Sequence, residues 1–274
     1  MSLTQAIFAR NNVNIRGPCD APTIVFAHGF GCDQNMWRFV TPAYEGTHRI
    51  VLFDYVGCGK SDAGAFTSSR YASLDGYARD VLDVCEAADV HDATFVGHSV
   101  SGVIGLLAAI KQPSRFSRLV MIAPSPRYIN DPPYVGGFEH RDLEELLSLM
   151  DHNYIGWAGH LAPVVMGNPD RPELAGELQD SFCSTDPLAA KAFARATFFA
   201  DNREDLSKAP VPSLIVQVRD DAIAPMAVGD YMHRHMPRSE LSIVDATGHC
   251  PHMSHPDLTL AAMHDFIVGG RAAA

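Results

Sequence analysis

The chain has 274 residues, 47% apolar and 19% charged, with a net charge of −11. That length can bury a sizeable core, and the composition excludes a mainly disordered chain. The acidic balance argues against nucleic acid and anionic membrane surfaces as partners, because both require a positive field.

The opening MSLTQAIFARNN lacks the basic segment and long apolar run of a secretory leader. The longest apolar stretch, VIGLLAAI, is too short to cross a bilayer. A soluble, cytoplasmic protein is the expectation. The segment AIFARNNVNIRG has β character on both sides of Asn11 and Asn12, a pair that tolerates positive φ, and predicts a hairpin. Six apolar runs follow: TIVFA (23–27), RIVLFD (49–54), ATFVG (93–97), RLVMIA (118–123), SLIVQV (213–218) and LSIVDA (241–246). Such continuous runs suit strands covered on both faces, as in a parallel sheet. Helical patterns alternate with several of them at 76–90, 100–112 and 228–236, and PDLTLAAMHDFIVG closes the chain. This alternation predicts a doubly wound α/β fold.

The rhythm breaks between RLVMIA and SLIVQV, where HRDLEELLSLMDHNYIGWA, PELAGELQDSFCS and DPLAAKAFARATFFA read as helices. An insertion of that length between two core strands predicts a helical cap over one end of the sheet. The core is expected at 1–124 and 211–274 and the cap at 125–210, with no independent domain boundary. The six cysteines are scattered without a C-x-x-C pair, so all six are expected to be buried or half-buried free thiols rather than a disulfide framework.

Residues 93–102, ATFVGHSVSG, run from a predicted strand into a predicted helix through Ser99. That is the context of a nucleophile elbow, although Ser101 stands where G-x-S-x-G has its second glycine. On this pentapeptide alone a nucleophile and a serine capping the next helix are equally good accounts. The partners decide between them. RDDAIAP follows SLIVQV and TGHCPHMSHP follows LSIVDA, placing Asp220, Asp221 and His249 just beyond strand ends in the order nucleophile, acid, histidine. Asp221, four residues before Pro225, is preferred as the acid, with Asp220 a turn or capping residue. His249 would take the Ser99 proton while the carboxylate fixes its tautomer.

His28-Gly29-Phe30-Gly31 leaves a predicted strand where such enzymes supply an oxyanion donor, making the Phe30 and Val100 amides the candidate pair. His28 itself is expected to be a structural, hydrogen-bonding residue. His252 and His255 are expected to be helix-start and loop residues, because no ligand set at zinc spacing surrounds them. GCGKS (57–61) lacks the first glycine of a phosphate loop, whose place is taken by Asp54.

FAHGFGCDQNMW, FDYVGCGKSD, RYASLDGYARDVLDVCEA, FVGHSVSG, PSPRYINDPPYVGGFE, FCSTDP and GHCPHMSHP resemble the α/β-hydrolase superfamily. The similarity lies in the branch of bacterial RsbQ-type stress-response regulators and plant karrikin and strigolactone receptors, and runs from about residue 6 to 268. It implies a mostly parallel sheet of eight strands, the first antiparallel, under a cap of four helices between core strands 6 and 7. It also implies the triad Ser99, Asp221 and His249, and an apolar pocket lined by Phe30, Phe138, Leu161, Phe198 and Ile223. A pocket phenylalanine of the karrikin receptors is matched here by Leu161.

The expected activity is serine hydrolysis of a small hydrophobic ester or lactone, without metal or organic cofactor. The alternative implied by the resemblance is a sensor that binds or hydrolyses a small hydrophobic ligand and activates a PAS-domain phosphatase. A monomer is implied in either case. A dehalogenase or epoxide hydrolase is disfavoured, since it needs an aspartate nucleophile at position 99.

Overall fold

The computed structural model describes residues 2–269, and seven strands form one sheet among them. These are β1 (Asn14–Arg16), β2 (Thr23–Ala27), β3 (Arg49–Leu52), β4 (Ala93–His98), β5 (Phe116–Ile122), β6 (Ser213–Asp220) and β7 (Ser239–Thr247). The spatial order is β1-β3-β2-β4-β5-β6-β7. Only β1 runs antiparallel, against β3, and the other pairs are parallel. The central strands carry the unbroken apolar runs, and β4 is buried along its whole length, as expected for a sheet covered on both faces.

Ten α-helices accompany the described strands. They are α1 (Leu3–Arg10), α2 (Leu74–Ala87), α3 (Val100–Lys111), α4 (His140–His152), α5 (Tyr154–Met166), α6 (Pro172–Ser184), α7 (Pro187–Phe198), α8 (Met226–His235), α9 (Pro251–Ser254) and α10 (Pro256–Val268). Alternate residues of one strand feed different cores. Leu119 and Met121 of β5 join the layer that holds α2, α3 and α8. Val120 and Ile122 face the opposite way, into the layer shared with α10 and α4 to α7.

The sheet has seven strands rather than the expected eight, and the difference lies in the first hairpin. Its turn is present, with Asn12 at φ 45°. The arm before it is helix α1, closed by a capping box in which Ser2 and Gln5 satisfy each other's backbone amides. The four helices α4 to α7 consequently lie between the fifth and sixth strands. The expectation for the cysteines also needs correction. All are free thiols, but Cys19 and Cys183 are exposed, not buried. Among the described residues no helix is long and apolar enough to cross a membrane.

Candidate active site

Ser99 is the single residue between β4 and α3, and its backbone sits at φ 56°, ψ −125°. A side chain in that region costs about 1–3 kcal/mol and persists only where the surroundings impose it. Here the Ser99 amide donates to the Ile122 carbonyl at 2.7 Å, and the Ser99 carbonyl accepts from Gly102 at 3.0 Å. Two residues earlier, a Cβ on Gly97 would stand 2.4 Å from the Ser101 carbonyl oxygen. Glycine at 97 thus lets α3 descend onto β4, and the chain turns sharply enough to raise Ser99 above the strand ends.

Ser101 points away from this site. Its fully buried hydroxyl donates to the His28 carbonyl and lies 3.0 Å from the Tyr55 hydroxyl. With the Ser101 proton committed to His28, Tyr55 is the donor of that second bond. Ser101 therefore ties the start of α3 to the segments that follow β2 and β3.

The acid and base arrive on the next two strands. Asp221 follows the last residue of β6, and one carboxylate oxygen accepts the Ile223 and Ala224 amides at 2.8 and 3.1 Å. The other lies 2.7 Å from His249 Nδ1. Asp220 is the exposed terminal residue of β6 and neither turns nor caps the chain; its carbonyl accepts the Gly248 amide. Gly248 has φ 91°, and a Cβ there would lie 1.8 Å from the Met166 carbonyl oxygen. Beyond it the His249 amide donates to the Val165 carbonyl at 2.8 Å, so α5 holds the histidine in place. With Nδ1–H given to Asp221, His249 Nε2 is left as the acceptor for the Ser99 hydroxyl, 2.7 Å away. The Tyr128 hydroxyl, 3.2 Å from Ser99 Oγ, supplies a further donor. Burial pushes the Tyr128 phenol upward, which keeps it protonated.

The segment after β2 turns against the elbow. The Cys32 amide donates to the Gly29 carbonyl at 3.3 Å, and Gly31 adopts φ 70°, the conformation a tight turn needs at its third residue. Phe30 is the second residue of that turn. A Cβ on Gly29 would approach His98 Nδ1 to 2.5 Å and Ser99 Cβ to 3.4 Å, so the turn runs directly beside the serine. Helix α6 closes over it, with the Ser181 hydroxyl donating to the Gly31 carbonyl at 2.9 Å. Val100 is the first residue of α3, where an amide has no intrahelical acceptor.

All five expected pocket residues, Phe30, Phe138, Leu161, Phe198 and Ile223, line one cavity together with Ser99 and His249. Its free volume is about 30 Å³, small beside the ~300–1,000 Å³ of common ligand pockets. Helices α4 to α7 supply seven of its sixteen lining residues, so the cap and the strand ends set this volume together.

Residues 24–262 match the sequence pattern of the Alpha/beta hydrolase family. The chain belongs to the alpha/beta hydrolase family. A rice (Oryza sativa subsp. japonica) protein described as a probable esterase is 37% identical over 94% of this hydrolase and 97% of its own length. Karrikin insensitive 2 receptor CA of Petunia hybrida is 35% identical, covering 92% and 94% of the two chains. Among solved structures, a hydrolase from Oleispira antarctica superposes with a TM-score of 0.94 at 49% identity, over 96% of this chain and 97% of that one.

Around the site this hydrolase buries further histidines that sequence reasoning treats as marginal. His28 donates through Nδ1 to the Gly29 carbonyl at 2.8 Å and accepts the Tyr55 amide on Nε2 at 3.1 Å, so its structural role is observed. His98 Nε2 lies 2.8 Å from the His249 carbonyl oxygen, to which it donates. His252 is a helix-start residue, as expected, the second of α9. It is fully buried in α9, 4.4 Å from the His98 ring and 4.7 Å from Trp37 between centroids. Burial lowers the pKa of all three, His252 to about 3, so each is neutral near pH 7. Neither ring nitrogen of His252 has a hydrogen-bond partner. Among the described residues no three His, Cys, Asp or Glu side chains form a group able to hold a metal.

Sequence reasoning passes over Tyr128 and Val165. Tyr128 sits in the loop RYINDPPY, whose prolines signal irregular chain but carry no sign of contact with Ser99. Val165 acts through its carbonyl, which no side-chain pattern can reveal.

Proposed function

We propose that this protein is a serine hydrolase of small hydrophobic carboxylic esters or lactones, working through an acyl-enzyme at Ser99. The observation that carries this reading is the continuous buried relay Ser99–His249–Asp221, with 2.7 Å at each step. Ser99 Oγ attacks the substrate carbonyl carbon while His249 Nε2 takes the hydroxyl proton, and Asp221 stabilises the imidazolium. The amides of Phe30 and Val100 receive the negative charge that develops on the carbonyl oxygen, a role worth roughly 10²–10³ in kcat per donor. His249 then returns the proton to the leaving alcohol as the C–O bond breaks. Water, deprotonated by His249, releases the acid from Ser99. In a lactone the leaving alcohol stays attached to the acid, and the same steps open the ring. The apolar lining from Phe138, Phe198 and Ile223 favours an uncharged acyl group.

Steady-state hydrolysis of p-nitrophenyl acetate and butanoate tests the reading. Wild-type protein turns over repeatedly, Ser99→Ala shows no turnover above background, and Asp221→Asn loses about 10⁴-fold in kcat through the wrong histidine tautomer. Full activity in Ser99→Ala contradicts it.

A second reading is supported by the receptor named among the relatives from Petunia. In it the pocket senses a small hydrophobic ligand and the cap surface engages a signalling partner such as a PAS-domain phosphatase. Slow single-turnover chemistry with ligand-dependent partner binding supports the sensor. Fast multiple turnover, with no partner bound at any ligand concentration, removes it.

A further inference from the structure

The reaction cavity has an outer neighbour. A cleft of about 280 Å³ lies between the segment after β2 and helix α6, and Cys32 and Leu178 line both it and the cavity at Ser99. These two side chains, 4% and 2% exposed, form the partition between the chambers. The inner chamber, about 30 Å³, is the more confined of the two. The outer one is nearly ten times larger and reaches solvent past exposed Asn35, Asp180 and Ser184.

The two chambers differ in position and in charge. Cys250, next to the catalytic base candidate His249, faces the inner chamber, and Met253 of the following helix faces the outer one. The cleft therefore adjoins both the segment after the Phe30 turn, through Cys32, and the helix after His249, through Met253, within reach of a leaving group that takes its proton from His249. Its rim carries Asp33, Glu177 and Asp180. Arg38 neutralises Glu177 at 2.6 Å, and the Asp33 carboxylate accepts the Asn35 amide at 2.7 Å, which leaves Asp180 as the exposed acidic residue of the rim. We propose that this cleft is the subsite for the alcohol half of the substrate, and that its acidic rim selects neutral or cationic alcohols over anionic ones. The proposal rests on the esterase reading above. Its geometric requirement is that Cys32 and Leu178 part when the substrate threads between the chambers.

Three acetates of matched size test it: those of choline, 3,3-dimethylbutanol and 2-hydroxyethanesulfonate. At low ionic strength the expected order of kcat/KM is cationic, neutral, anionic. A unit charge pair about 7 Å apart in water is worth about two- to threefold. Asp180→Lys changes that charge by two units for two oppositely charged substrates, so it is expected to lower the cationic-to-anionic ratio about 16- to 80-fold, and added salt to lower it in wild type. Ser184→Trp, at an exposed position in the cleft, is expected to lower the ratio of dimethylbutyl to methyl acetate about tenfold. The ratio of methyl butanoate to methyl acetate, which reports the acyl side, should stay as it is. Ser99-dependent hydrolysis with alcohol ratios that neither variant moves overturns the cleft assignment alone. Absence of Ser99-dependent hydrolysis with every ester overturns the esterase reading and the cleft together.

Discussion

Ser101 and His252 show how single residues around the nucleophile divide between packing and chemistry. Removing the Ser101 hydroxyl strands the His28 carbonyl and the Tyr55 hydroxyl in a dry interior, at about 1–3 kcal/mol. Ser101→Ala and Ser101→Gly should therefore lower the urea midpoint while keeping kcat/KM on p-nitrophenyl acetate within a few-fold of wild type. A loss comparable to that of Ser99→Ala would place Ser101 in the chemistry. The buried histidines have a signature in stability. Their folded pKa values are lowered, so below about pH 6.5 the unfolded chain binds protons that the folded chain does not. Stability is complete above that pH and falls as the pH drops, by up to about 1.4 kcal/mol per pH unit for each histidine. For His252 the fall continues to about pH 3. Urea unfolding of His252→Phe between pH 7 and 5 should show a slope shallower by that one group, and an unchanged slope would show that His252 is not buried neutral.

The elements owe their positions to a few close approaches that side chains would block. Gly97→Ala sets a methyl carbon 2.4 Å from the Ser101 carbonyl oxygen, with backbone on both sides. Overpacking of this kind costs about 1–3 kcal/mol, read as a lower melting temperature together with reduced activity from a displaced Ser99. At Gly31 a Cβ would meet the Phe182 ring of α6 at 2.1 Å in a φ 70° conformation. Gly31→Ala should therefore shift the Phe30 amide, lowering kcat by about 10²-fold with a smaller change in KM. The central strands are legible because burial on both faces leaves an unbroken apolar run, as in RLVMIA and SLIVQV. Helix α1 is legible only in the Ser2–Gln5 capping box at its start, which the short β-prone run after it obscures. The turn at Asn12 is readable from residue type, but what stands on its far side is not.

Across the whole molecule the chain brings together residues 99, 221 and 249 by ending β4, β6 and β7 at the same edge of the sheet. Their order and their placement after apolar runs can be read in advance, because both are properties of sequence position. Of the two adjacent aspartates, only Asp221 turns a carboxylate to His249. Tyr128, the Val165 carbonyl and the second chamber behind Leu178 cannot be read, because each exists only after the cap has folded over the core. The cap also links substrate space to chemistry: α5 carries the carbonyl that anchors His249, and α6 holds the turn bearing Phe30. The most direct measurement is intact-protein and peptide mass spectrometry after exposure to a p-nitrophenyl alkylphosphonate. The expected result is one phosphonyl group per chain, on Ser99 and absent from Ser99→Ala. Labelling elsewhere, or none while the protein still hydrolyses esters, would contradict a nucleophilic Ser99.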